Sequence, residues 1–327
     1  MSRLIKPSSE AGNKITQKKQ IPAIYFSLGM LALFIIIFYI GNRSFLTRYN
    51  LMAIGAAAAI LLAVGLGQVF SILTGGIDLS VGGIMSLVSV VLMSTLERFG
   101  FFAFVISLAV GLLAGLVNGL INAKLRIPSF ITTLGTGGIF VSISYIISAK
   151  PLSAPSSSYD LLEFINGDVL GLKNVMIIGA IVFVIFLIFQ KYTITGRSIL
   201  LMGSNEKMCW MSGVNVFKIR TLAFTISGLG AGIAGIMLAG TLFSGYPTLG
   251  NTYILSSIAT VVVGGTAMTG GAGGVLNTLV GALIMSVLNN GMNVIGIDVY
   301  AQQTFLGVLI IAAVAISFDR SKLSVIK

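Results

Sequence analysis

The sequence predicts an all-α, polytopic transmembrane helical bundle of about ten spans, and three observations carry that prediction. Apolar side chains make up 56% of the 327 residues and charged ones only 9%, whereas soluble domains carry about 25% charged residues. Mean hydropathy is +1.03. The apolar residues also fall in separate runs, most of them long enough to cross roughly 30 Å of hydrocarbon at about 1.5 Å per residue. Twenty Lys and Arg with nine Asp and Glu cannot supply a polar coat for a soluble protein of this length, so lipid is the main solvent.

Residues 1–22 read as a cytoplasmic tail carrying Lys18-Lys19, and 23–40 as the first span. That run is followed by Gly41-Asn42-Arg43 with no convincing Ala-x-Ala, so it reads as a retained helix and not as a cleaved signal. Further spans are expected at 51–73, 78–96, 101–122, 130–149, 174–190, 219–241, 252–268, 274–295 and 301–318. Together, 23–318 form one membrane domain, and 319–327 a second cytoplasmic tail. The junctions after 73 and after 268 are short and Gly-rich, which suits either hairpins or broken, re-entrant helices.

Placing the N-terminus in the cytoplasm puts fifteen Lys and Arg inside, among them Arg126, Lys191, Arg197, Lys207, Lys218 and Arg220. Five fall outside: Arg43, Arg48, Arg98, Lys150 and Lys173. The positive-inside rule gives this split for an even number of spans with both termini cytoplasmic. The basic excess is thus a topology signal and does not point to nucleic acid. The outer connection, 150–173, suits a solvated periplasmic cap. The inner one, 191–218, has room for a short surface helix between Asn205 and Val216. A weak echo links Gly111–Pro128 with Gly281–Gly296, as an inverted repeat of spans 2–5 and 7–10 would.

Two glycine clusters stand beside polar residues, from Thr74 through Gly75, Gly76 and Asp78 to Gly83, and from Gly264 to Gly274. Helix breaks at membrane depth survive only where they are buried or line a cavity. An ionised side chain at helix centre costs roughly 2.5–3.5 kcal/mol, so Asp78 has to have a role, either as a pathway or gate residue or as the N-cap of the third span. The amides Gln68, Asn118, Asn122, Asn289, Asn290 and Asn293 lie inside apolar runs. They read as interhelical glue worth about 0.6 kcal/mol each, or as the lining of a path for a polyhydroxylated solute, since an amide both donates and accepts.

The chain has no His and a single cysteine, Cys209, in a polar loop. Disulfide frameworks, Cys/His zinc sites and His-based triads are excluded, and no cofactor or metal is expected. No G-x-x-x-x-G-K-[ST] phosphate loop is present, so an energised transporter built on this chain needs a separate subunit. An ion-coupled carrier would need more titratable intramembrane groups than Asp78. A passive channel-like protein would not need a docking helix.

Six blocks in order resemble the permease subunits of bacterial ABC importers for ribose, galactose, xylose and related monosaccharides. They are Gly75-Gly76-Ile77-Asp78-Leu79-Ser80-Val81-Gly82; Asn118-Gly119 with Ile127 to Thr136; Gly196-Arg197-Ser198; Asn205-Glu206 with Ser212-Gly213-Val214-Asn215; Val263-Gly264-Gly265-Thr266; and Leu288-Asn289-Asn290-Gly291. The resemblance runs from about Leu51 to Ala315. It implies an inner-membrane protein that moves a monosaccharide or related small polar solute and is driven by partner ATPase subunits. It also implies a periplasmic or lipid-anchored solute-binding protein and a second permease copy. Asn205, Glu206, Ser212, Gly213 and Val214 would then form the ATPase-coupling element, and Thr136 would join the pathway candidates. Three departures stand out: Lys207-Met208 replaces the usual Ala-Ala, Tyr253-Ile254-Leu255-Ser256 lacks the two acids of Tyr-Glu-Leu-Asp, and Ala272 replaces a basic residue. They allow pairing with a different permease that keeps those charges.

Overall fold

A computed structural model of the chain describes residues 23–317. The basic residues of both tails, and with them the expected cytoplasmic placement of both termini, lie outside the described residues. Thirteen α-helices follow in order: α1 (Ala23–Gly41), α2 (Arg48–Leu73), α3 (Val81–Phe99), α4 (Phe102–Leu125), α5 (Ser129–Ile147), α6 (Tyr159–Asn166), α7 (Asn174–Tyr192), α8 (Ile194–Ser204), α9 (Glu206–Met211), α10 (Val216–Leu242), α11 (Tyr253–Val263), α12 (Val275–Val294) and α13 (Val299–Ser317). Eight of them, α1 to α5, α7, α10 and α12, are long and apolar enough to cross a membrane. The other two expected spans are the shorter apolar helices α11 and α13.

The span expected at 252–268 is not continuous. Its helix stops at Val263, and at about 1.5 Å per residue eleven residues cover only about 16 Å. Gly264 and Gly265 end it, and Gly265, Gly270, Gly271, Gly273 and Gly274 all have positive φ, so the cluster forms an irregular segment that closes on itself through Ala267 N–H to Ala272 C=O at 3.0 Å. The first glycine cluster behaves alike: α2 ends at Leu73, and Thr74 to Ser80 is non-helical before α3 begins.

The long helices α2 and α10 pack against each other at the centre. Around them α10 lies against α3 and α4, while α2 lies against α11 and α12; α3 also touches α5, and α11 touches α13. Exchanging α2 with α10, α3 with α11, α4 with α12 and α5 with α13 maps each of these pairings onto another. That is the arrangement an internal two-fold relation between spans 2–5 and 7–10 produces.

Small residues set the spacing. Gly111, Gly115 and Gly119, one per turn on α4, run antiparallel along Gly232, Gly228 and Thr221 of α10. A Cβ at Gly115 would stand 2.5 Å from the Phe224 carbonyl oxygen, and one at Gly119 2.5 Å from that of Thr221, so only glycine lets the two backbones touch. Beyond the spans, two short antiparallel pairings brace the 150–173 connection. Leu152–Ser153 pairs with Ser244–Gly245 just after α10, and Asp168–Val169 pairs with Leu172–Lys173.

Candidate functional site

Asp78 sits at the centre of a buried polar junction. It is fully buried, and its Oδ1 accepts from the Ser80 backbone N–H at 2.9 Å and from the Ser80 hydroxyl at 2.6 Å. Ser80 Oγ in turn accepts from Asn118 Nδ2 at 2.7 Å. With its amide turned to suit its neighbours, Gln68 brackets the same residue, donating to the Asp78 carbonyl at 3.0 Å and accepting from the Asp78 N–H at 3.3 Å. Ser129 Oγ and Thr133 Oγ1 of α5 accept from the N–H groups of Ile77 and Leu79. The break between α2 and α3 is thus satisfied by side chains of α2, α4 and α5, as a non-helical segment out of water requires. The N-cap of α3 is Ser80, not Asp78; Asp78 instead closes a turn onto Ser80. Asn118 Oδ1 makes no hydrogen bond among the described residues, and the Ser227 hydroxyl of α10 stands beside the Asp78 carboxyl.

Two polar cavities lie along α2, one beside its middle and one at its C-terminal end. The first, about 270 Å³, is walled by Ala57 and Leu61 of α2, the start of α11 and the second half of α12. Asn289, Asn290 and Asn293 all face it, together with Ser256 and Ser286. No charged side chain lines it, and Ser286 Oγ and Asn290 Oδ1 are buried without a partner. The second cavity, about 240 Å³, is bounded by Thr74, Gly75 and Gly76, by Asn122 and Arg126 at the end of α4, and by Arg220 and Phe224 of α10. Asn122 Nδ2 also donates to the Ile127 carbonyl at 2.6 Å, holding the turn into α5. Ala57 and Thr74 are separated by about 25 Å along the axis of α2. Under the exchange of helices above, the α2 and α12 walls of the first cavity correspond to the α10 and α4 walls of the second.

The sequence-predicted candidates therefore sort into three places. Asn289, Asn290 and Asn293 share the first cavity; Gly75, Gly76 and Asn122 share the second; Asp78 and Asn118 form the buried junction. Thr136 joins none of them, because its hydroxyl turns back to the Thr132 carbonyl of its own helix at 3.0 Å. Ser256, Ser286, Arg126 and Arg220 were not picked out as site residues. A signal for the first two existed, since Ser286, Asn289, Asn290 and Asn293 recur at helical i, i+3, i+4 and i+7 spacing on one face of α12.

The 191–218 connection folds into α8 and α9. Asn205 caps α9, its Oδ1 accepting from Met208 N–H at 3.0 Å, and Glu206 follows in the first turn, where a helix dipole favours an acid. Ser212 closes the helix and donates to the Met208 carbonyl at 2.9 Å; Gly213 then turns with φ +80°. Met208, Trp210 and Met211 are all more than 60% exposed, so three large apolar side chains of this six-residue helix are left uncovered by the rest of the described chain. Glu206, Gly213 and Val214 border a cleft of about 900 Å³. Cys209, expected in a polar loop, is the buried residue of α9; burial, and then the neighbouring Glu206 charge, push its thiol pKa up. The preceding helix, α8, packs inward: Gly203 near its end sits against the Leu73 carbonyl with no room for a Cβ, and that carbonyl accepts from Gly271 N–H at 3.0 Å.

A family model described as branched-chain amino acid transport system / permease component matches residues 50–314. The ribose import permease of Bacillus subtilis (strain 168) is 34% identical over 94% of this chain and 97% of its own length. The D-allose transport system permease of Escherichia coli (strain K12) is 34% identical, covering 89% and 90%, and the fructose import permease of Rhizobium meliloti is 33% identical, covering 90% and 84%. No solved structure matches the chain.

Proposed function

The chain belongs to the family of transport-system permease components, and from that premise we propose that it is the membrane-spanning subunit of an ABC importer for a monosaccharide or a closely related uncharged solute. The observation that carries the substrate class is the first cavity: three amides, the hydroxyl residues Thr252, Tyr253, Ser256 and Ser286, no charge, two buried oxygen atoms without partners, and a volume of about 270 Å³. Such a set exchanges hydrogen bonds with hydroxyl groups and holds no ion strongly enough to trap it.

In this reading the first cavity, beside the middle of α2 and nearer to Arg48 than the second, opens toward the periplasm, where a binding protein delivers the solute. The second opens toward the cytoplasm. Alternating access moves solute between them past the Asp78 junction, and Asp78 with Asn118 fixes the break that the path must skirt. Energy enters through α9, which seats in a partner ATPase; the chain itself has no nucleotide loop. The permease works as a pair, with a second copy or with a related permease. An ion-coupled carrier is disfavoured because Asp78 is the only buried carboxylate among the described residues.

The test is uptake by proteoliposomes holding this chain with its ATPase and a solute-loaded binding protein. Accumulation of a labelled pentose or hexose that requires ATP inside the vesicle supports the reading. Uptake that persists without ATP, or follows a proton or sodium gradient, rejects it.

A further inference from the structure

Arg220 borders both the second cavity and the large cleft beside α9, and it is the only residue besides Arg126 to line both. Its Nη2 is 2.6 Å from Glu206 Oε2 on α9. The Arg220 side chain is 25% exposed and that of Glu206 55%. One guanidinium therefore stands between the helix assigned to docking and the mouth of the solute cavity. Its position on α10 is one turn before Phe224, whose ring packs beside Gly76 at the far wall of that mouth.

We propose that Glu206 and Arg220 form a latch, in which Glu206 draws Arg220 aside and keeps the second cavity open. Arg220 closes the mouth once α9 moves and the pair is broken. The proposal rests on the reading of α9 as the docking helix. The charges at the mouth fit it. Arg126 and Lys207 also line the cleft, so among the described residues Glu206 is the only acid there to offset three cations, and Arg220 has no other described carboxylate within 4 Å. When Glu206 is displaced, the guanidinium keeps its need for acceptors. Polar side chains that line the cavity with it include Thr74, Asn122 and Ser129. An ion pair this exposed contributes little to folding. For a latch that is an advantage, since a partner can break it at small cost, and a short rigid helix can carry the displacement.

The test is thiol accessibility in the full chain. A Thr74→Cys reporter in a Cys209→Ser background places one thiol in the second cavity. Labelling by a water-soluble maleimide should slow about two- to fivefold in Glu206→Gln, the range of population shift an exposed ion pair supports. It should return to the starting rate in Glu206→Gln/Arg220→Gln. An unchanged rate in Glu206→Gln, or a double variant that stays slow, overturns the latch. Adding the partner ATPase with a non-hydrolysable nucleotide should slow labelling of the reporter chain alone. If both variants behave as stated but the ATPase changes nothing, the docking role of α9 fails and the latch within this chain stands.

Discussion

Asp78 holds the α2–α3 break through a single oxygen that serves both the N–H and the hydroxyl of Ser80. Removing that acceptor leaves two buried donors unpaired, a loss of about 1–3 kcal/mol each at most. Asp78→Ala should therefore lower the thermal midpoint of the purified protein clearly, and Asp78→Asn, which keeps one acceptor, should lower it less; equal effects would mean that the oxygen is not what matters. Cys209 offers a second readout at this scale. Because burial and Glu206 hold its thiol above the ordinary range, less thiolate is present at neutral pH. Maleimide labelling of Cys209 should be slower at pH 7.5 than that of an exposed cysteine, rise as pH passes 9, and speed up in Glu206→Gln.

At the scale of elements, the α4–α10 contact depends on backbone approach. A methyl group at Gly228 would overlap the Gly111 carbonyl and Gly115, whereas Gly135 on α5 has nothing within 4 Å. Gly228→Ala should cost about 1–3 kcal/mol by forcing the helices apart, and Gly135→Ala should be close to neutral; a denaturation series on both variants checks this. Asn205→Ala removes the α9 cap, a loss of about 1 kcal/mol, and should reduce ATPase stimulation by solute-loaded binding protein while the long helices keep their circular dichroism. Most elements were legible in the sequence because lipid demands apolar runs of fixed length. The two glycine clusters marked where helices could break, but left open whether the junctions were hairpins or broken helices. The short α11 was not legible. Val261, Val262 and Val263 continue an apolar run into Gly264 and Gly265, and hydropathy does not register where the hydrogen-bonded ladder stops. Nor was Arg220 visible as anything beyond a topology charge, because its meaning comes from Glu206, fourteen positions away across a turn.

For the molecule as a whole, the two polar cavities along α2 are the features on which transport should depend. Substituting Asn290 and Ser286 by Leu removes the unpartnered oxygens of the first cavity and narrows it. ATP-driven sugar uptake should fall at least about tenfold, the effect of about 1.4 kcal/mol, while basal ATP hydrolysis by the assembled transporter stays near its starting rate. Loss of hydrolysis as well would point to disrupted assembly instead of a blocked path. The sequence singled out the three amides of this cavity but not the serines beside them, since Ser occurs throughout the apolar runs and only the fold shows which ones face space.

The exchanged packing of α2 and α10 bears on how the protein is made. The glycine-faced groove of α4 is filled by Val216–Leu242, so the first five spans leave the translocation channel with a central wall missing. They have to wait in the bilayer, shielded by lipid or by an insertase, until the 95 residues from Ser148 to Leu242 have been synthesised. A ribosome stalled between α5 and α10 should therefore expose a nascent chain that quality-control proteases cut readily, and release past Leu242 should protect it.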